Sequence, residues 1–147
     1  MHEYLREIHD KILVPYQTIT VGEMPGVSDI NEIIKTVGSK SGELNMIFIF
    51  DLVDIDDVSG PGKVRMTLQD WTTKDIRGIV DKWQRAMIEH DGWNSVFIEN
   101  HDNPRSVSRY TDDSDAFRHY GAKLLALMQT TLSGTLFVYQ GEEIGMR

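Results

Sequence analysis

Residues 43–52 read ELNMIFIFDL, a nearly continuous apolar run that closes around Asp51. Strict alternation is absent, so this is the pattern of a strand buried on both faces, as in a parallel sheet covered by helices. Downstream, residues 53–72 are polar, with DIDDVSGPGK (54–63) too rich in Asp, Gly and Pro for regular structure. Then comes the clearest helix of the chain: Ile76, Ile79, Val80, Trp83 and Met87 fall at i, i+3, i+4, i+7 and i+11. Asn94–Ile98 reads as a short strand and Glu99–Tyr110 as a loop. Asp115–Leu132 reads as a helix with Phe117, Gly121, Leu124, Leu125, Met128 and Leu132 inward and Gly134 at its end. Thr135–Tyr139 reads as a last strand, followed by QGEEIG (140–145).

Upstream of residue 43 the same order repeats. A helix is expected from about Asp29 to Val37, with Ser28 as N-cap and Gly38 as its stop. The β-branched segment Gln17–Met24 reads as a strand. Residues 2–13 place Leu5, Ile8, His9, Ile12 and Leu13 on one helical face, and Pro15 ends that helix. Helix and strand therefore alternate four times, which implies parallel strands joined by right-handed crossovers. Two architectures fit: a doubly wound sheet, or part of a (β/α)8 barrel. A whole barrel needs about 250 residues, so this pattern looks like roughly half of one.

The 147 residues carry 15 Lys plus Arg against 23 Asp plus Glu, a net charge of −8. No basic patch is present, which argues against nucleic acid as a partner. No apolar run reaches the roughly 18 residues of a membrane span, and no signal segment opens the chain. Cysteine is absent, which excludes disulfides and thiolate zinc sites and fits a reducing compartment. The expectation is a soluble cytoplasmic protein.

In parallel α/β proteins, function gathers beyond the carboxyl ends of the strands. Here those ends carry Gly22-Glu23, then Asp51, then Asn100-His101-Asp102, then Gln140-Gly141-Glu142-Glu143. A rim of acids can bind a hard metal or do acid–base work on a neutral substrate. His101 and Arg105 among them favour sugar recognition, because they donate to hydroxyls while carboxylates accept. Glycoside hydrolysis needs two carboxyl groups, one protonated and one ionised. Glu23 follows the apolar strand TITV, where partial desolvation favours the proton donor. Asp102, beside His101 and near Arg105, is expected to stay ionised. Arg105 and Arg109 could equally neutralise the acids of their loop. Asp51, Asp54, Asp56 and Asp57 lack the spacing of a calcium loop and read as a solvated loop, so neither metal nor cofactor is expected. Glu142 and Glu143 read as braces accepting backbone or Arg hydrogen bonds. Trp83, Phe117 and Tyr120 sit at helical core spacing, while Trp71 and Trp93 suit either packing or sugar stacking.

FIENHDNPRSVSRY (97–110) resembles the fourth signature region of the α-amylase superfamily, glycoside hydrolase family 13. TVGEMPG (20–26) resembles the region that carries that family's general acid/base, and VYQGEEIG (138–145) the end of its eighth strand. With ELNMIFIFD (43–51) and WTTKDIRGIVDKWQ (71–84), the likeness runs along essentially the whole chain. It is nearest to the α-glucosidase, maltase and oligo-1,6-glucosidase branch, to which NHDNPR and YQGEEIGM are quite specific.

The resemblance implies strands five to eight, the C-terminal half, of a retaining α-glucosidase (β/α)8 barrel. It implies Glu23 as acid/base catalyst, Asp102 as the acid stabilising the transition state, His101 hydrogen-bonded to sugar hydroxyls, and Arg105 at the rim of the substrate pocket. Substrates would be short oligosaccharides of the maltose, isomaltose or sucrose type. The family's nucleophilic aspartate ends strand four in a motif of the type G-F-R-x-D, and no such motif occurs here. The chain thus reads as a fragment that does not turn over alone. Unpaired barrel edges would favour self-association. The alternatives are a non-catalytic sugar-binding partner of the same fold, or a sucrose isomerase or glucosyl transferase on the same site.

Overall fold

The computed structural model describes residues 1–40, 42–57 and 69–147, so most of the polar segment expected at 53–72 lies outside the described residues. The chain divides into two compact units, Met1–Asn94 and Ser95–Arg147. Each contains one pair of parallel strands with helices, as the alternating pattern requires of an α/β fold. Among the described residues no helix is long and apolar enough to cross a membrane.

The first unit opens with α1 (His2–Ile8), which runs on into a π-helical stretch, His9–Leu13. The helical geometry stops one residue short of Pro15, which has no N–H to continue it. β1 (Val21–Glu23) pairs with β2 (Met46–Phe48) in the register Val21–Met46, Gly22–Ile47, Glu23–Phe48. Both strands are shorter than the segments expected at 17–24 and 43–52. The ladder spans three residues, whereas apolar burial continues beyond it to Val53 and Ile55.

Between the strands lies α2 (Ile30–Val37). Its N-cap is Asp29, whose carboxylate accepts from Asn31 N at 2.9 Å, and not Ser28, which the sequence reading favoured. The Ser28 hydroxyl is used elsewhere, as a donor to Asp51. Gly38 does end α2, but by close approach: its φ is −67°, and a Cβ there would lie 2.7 Å from the Ile34 carbonyl oxygen. α3 (Thr73–Glu89) begins with a capping box in which Thr72 and Asp75 satisfy each other's backbone and side chain. The core joins Ile33 and Val37 of α2, Ile47 of β2, and Trp83, Ala86 and Met87 of α3. The i, i+3, i+4 stripe of the sequence therefore faces inward.

A buried ionic cluster ties α1 to this unit. The Glu43 side chain is fully buried, accepting from His2 Nδ1 at 2.8 Å and Arg6 Nε at 3.2 Å. His2 also reaches Glu32 of α2, 3.3 Å away, and Lys35 pairs with the same Glu32. Hydrogen bonds to Glu43 first, then to Glu32, favour the imidazolium and raise the His2 pKa above its ordinary 6.5. Hydrogen bonds from Lys35, then His2, hold Glu32 below its ordinary 4.5. The stability His2 contributes is complete below pH 6.5 and disappears as pH rises through the raised value; that of Glu32 is lost as pH falls through its lowered value. The urea midpoint of the chain should therefore exceed that of His2→Gln in mildly acidic buffer, with the gap closing above neutrality. A gap that widens with pH would contradict this account.

In the second unit, β3 (Ser95–Val96) pairs with β4 (Thr135–Leu136), and Phe137 N extends the ladder to Val96 O at 2.9 Å. α4 (Ser106–Tyr110) forms inside the segment read as a loop, and α5 (Arg118–Thr130) follows. α5 turns Gly121, Leu125 and Gln129 inward. Phe117 and Leu124, expected in the core, are 55% and 62% exposed, and Tyr120 is exposed as well. The helix carries a second apolar stripe, Phe117, Tyr120, Leu124 and Leu127, which its own unit leaves uncovered. The choice of face is steric: Gly121 packs so close to α4 that a Cβ would lie 2.2 Å from Thr111 Oγ1.

Candidate active site

Glu23 is the last residue of β1, opposite Phe48, and is exposed. β1 passes tightly over its neighbours, since a Cβ on Gly22 would come within 2.7 Å of Leu44 Cδ1. The partial desolvation expected for Glu23 is not met in the first unit, where its side chain is exposed.

The segment after Glu23 is pinned by Asp51, an acid expected from the sequence to lie in a solvated loop. Asp51 Oδ1 accepts from Ser28 Oγ at 2.5 Å; Oδ2 accepts from Lys82 Nζ at 3.0 Å and Trp83 Nε1 at 2.9 Å. Lys82 also donates to the Ser28 carbonyl, 3.0 Å away, and lies over the Trp83 ring, 4.2 Å from its centroid. Asp51 is thus a structural anchor between β2, α3 and the segment following β1. Trp83 is core, as expected, and its indole N–H finds a carboxylate.

In the second unit the chain leaves β3 through buried Phe97, Ile98 and Glu99 and turns at Asn100. Asn100 Oδ1 accepts from Asp102 N at 3.0 Å and from Asn103 Nδ2 at 2.8 Å, an Asx turn that projects the next two side chains into solvent. His101 and Asp102 come together there, with Nε2 3.5 Å from Oδ2, and are 69% and 63% exposed. Arg105 does not join them. Its Nη1 pairs with Glu99 Oε1 and donates to the Gln140 carbonyl at 2.8 Å, and its guanidinium lies over Tyr139, 5.2 Å from the ring centroid. The neighbour expected for Asp102 is therefore engaged by a buried acid instead. Arg109 Nη1 donates to Asn103 Oδ1 at 3.1 Å.

Beyond β4, Glu142 accepts from Tyr139 N at 2.9 Å and Gln129 Nε2 at 2.5 Å, and Glu143 accepts from Gly141 N at 2.8 Å. Both brace their own loop through backbone donors, as read from the sequence. Burial is the main cause that pushes the Glu142 pKa above its ordinary 4.5, against the two donors it faces. Trp93 is 49% exposed. Among the described residues, no group of three or more His, Asp or Glu side chains is disposed to hold a metal ion.

The first unit offers an exposed acid, Glu23, at the carboxyl end of β1; the second offers an exposed acid beside an imidazole, Asp102 and His101, in the loop that follows β3. Against protein families, residues 1–147 match the model for the alpha amylase catalytic domain. Over 146 residues the chain is 46% identical to an α-glucosidase of Schizosaccharomyces pombe and 43% identical to an oligo-1,6-glucosidase of Parageobacillus thermoglucosidasius. Each of these alignments covers 99% of this chain and 25% of the relative. Among solved structures, the isomaltulose synthase of Erwinia rhapontici NX5 superposes with a TM-score of 0.90 at 40% identity, again over 99% of this chain and 25% of that one. The chain spans about a quarter of the length of the relatives it matches. Sequence likeness along its whole length leads to one assignment: the chain belongs to the alpha-amylase catalytic-domain family.

Proposed function

We propose that this chain supplies strands five to eight of an α-glucosidase barrel, with Glu23 as the acid/base and Asp102 as the charge-stabilising acid. The observation that carries the reading is Glu23 at the end of β1 and the His101–Asp102 pair in the loop after β3, within motifs similar to those of α-glucosidases. The substrate would be a terminal α-linked glucose of a short oligosaccharide.

In this reading Glu23 gives its proton to the glycosidic oxygen as the bond to the anomeric carbon breaks. It then takes a proton from the water that releases the sugar. Asp102 faces the positive charge that develops at the anomeric carbon, and His101 donates to a sugar hydroxyl beside it. The carboxylate that would attack the anomeric carbon is not among these residues, since the sequence has no G-F-R-x-D motif. A retaining reaction without a nucleophile stalls at its first step. The isolated chain should therefore release no nitrophenol from p-nitrophenyl α-glucoside. Turnover that disappears in Glu23→Gln would mean that the nucleophile lies within these residues, and would overturn the assignment.

A second reading, transfer of the glucosyl group within sucrose, is favoured by the likeness to isomaltulose synthase. It uses the same Glu23 and Asp102 and differs in whether water reaches the glucosyl intermediate, so product analysis separates the two.

A further inference from the structure

Glu99 closes the buried segment Val96–Glu99, and its side chain has no solvent exposure. A carboxylate in that position must be fully partnered or it destabilises the fold. Oε2 accepts from Ser106 N at 2.9 Å and from Ser106 Oγ at 2.7 Å, capping the start of α4; Oε1 accepts from Arg105 Nη1. The loop from Asn100 to Arg105 is thereby closed on itself, its beginning tied to its end. The same Nη1 bonds the Gln140 carbonyl, and Nη2 contacts Met146 Sδ. A second tie thus runs from this loop to the chain after β4. Within the closed loop, Asn100 fixes the backbone of Asp102.

A buried ion pair is weak evidence for stability, because apolar replacements are often as good. What a planar guanidinium and a buried carboxylate supply is geometry, because the donor directions are fixed. We propose that Glu99 and Arg105 are positioning residues. They lock the 100–105 loop to itself and to the segment after β4, so that His101 and Asp102 stand at a fixed place beyond β3. Arg105 serves the loop instead of the sugar. The catalytic consequence rests on the role proposed above for Asp102; the lock itself does not.

Glu99→Gln isolates the lock: its amide oxygen can still accept from Ser106, while its NH2 is turned against Arg105. In the full chain, amides of residues 100–105 and 140–142 should exchange with solvent about tenfold faster or more, with those of α5 unchanged. Arg105→Lys keeps the charge but loses the fork, and should loosen the same amides. Exchange that rises equally across the unit, or in neither variant, would overturn the lock. For the consequence, these 147 residues replace the matching quarter of the Schizosaccharomyces pombe α-glucosidase. There Glu99→Gln should lower kcat about 10- to 100-fold per folded molecule while KM changes less than about threefold. Unchanged kcat in a chimera that Asp102→Asn inactivates would refute the positioning role. If Asp102→Asn leaves the chimera active, the reading of Asp102 fails and the lock stands or falls on exchange alone.

Discussion

In the same chimera, Glu23→Gln is expected to slow maltose hydrolysis by about 10²- to 10⁴-fold, the range that a positioned proton donor contributes. The loss should depend on the leaving group. Glucose leaves maltose as an alcohol and needs the proton as the bond breaks, whereas p-nitrophenolate, with a conjugate-acid pKa of about 7, leaves almost unaided. The variant should therefore retain far more of its activity in the first step on p-nitrophenyl α-glucoside than on maltose. Asp102→Asn should show no such preference, because stabilising charge at the anomeric carbon matters whatever departs. Initial rates on the two substrates separate the roles. Equal losses on both for Glu23→Gln would mean that Glu23 is not the acid.

The second large effect is on stability. Ile33 of α2 has no exposed surface and packs in the core with Ile47 and Trp83. Ile33→Ala should cost about 2–5 kcal/mol, combining lost burial with a cavity that the surrounding helices fill only in part. The exposed Ile19, 84% accessible, provides the control: Ile19→Ala should change stability by no more than about 0.5 kcal/mol. Urea unfolding followed by far-ultraviolet circular dichroism measures both, and similar midpoints for the two variants would contradict the core described for the first unit.

The contrast between Ile33 and Leu124 also marks how far the sequence could be read. ELNMIFIFDL (43–52) and the stripe from Ile76 to Met87 signal buried elements because each has a single apolar face or run to hide. α5 has two apolar stripes, and hydrophobicity alone cannot tell which one a unit covers; Gly121 decides it by allowing close approach to Thr111. α4 was hidden for a different reason. Its N-terminus is capped by Glu99, seven residues earlier, so no local capping residue announced it.

Among candidate site residues, motif and strand end together make the positions of Glu23, His101 and Asp102 legible, their roles being those proposed above. The supporting acids were not. Asp51, Glu43 and Glu99 look like ordinary loop carboxylates in the sequence, yet each binds two or more donors in the fold. One signal was present: all three border apolar runs, where a charge is tolerated only when paired. Arg105 is a related case: its proximity to Asp102 in sequence gives no hint of its pairing with the buried Glu99.

The most direct test of the account is glucose release from maltose by the chimera that carries these 147 residues. If Glu23, Asp102 and their loops act as proposed, hydrolysis should fall within about tenfold of the parent α-glucosidase. A chimera that folds with the parent's cooperativity but releases no glucose would contradict it.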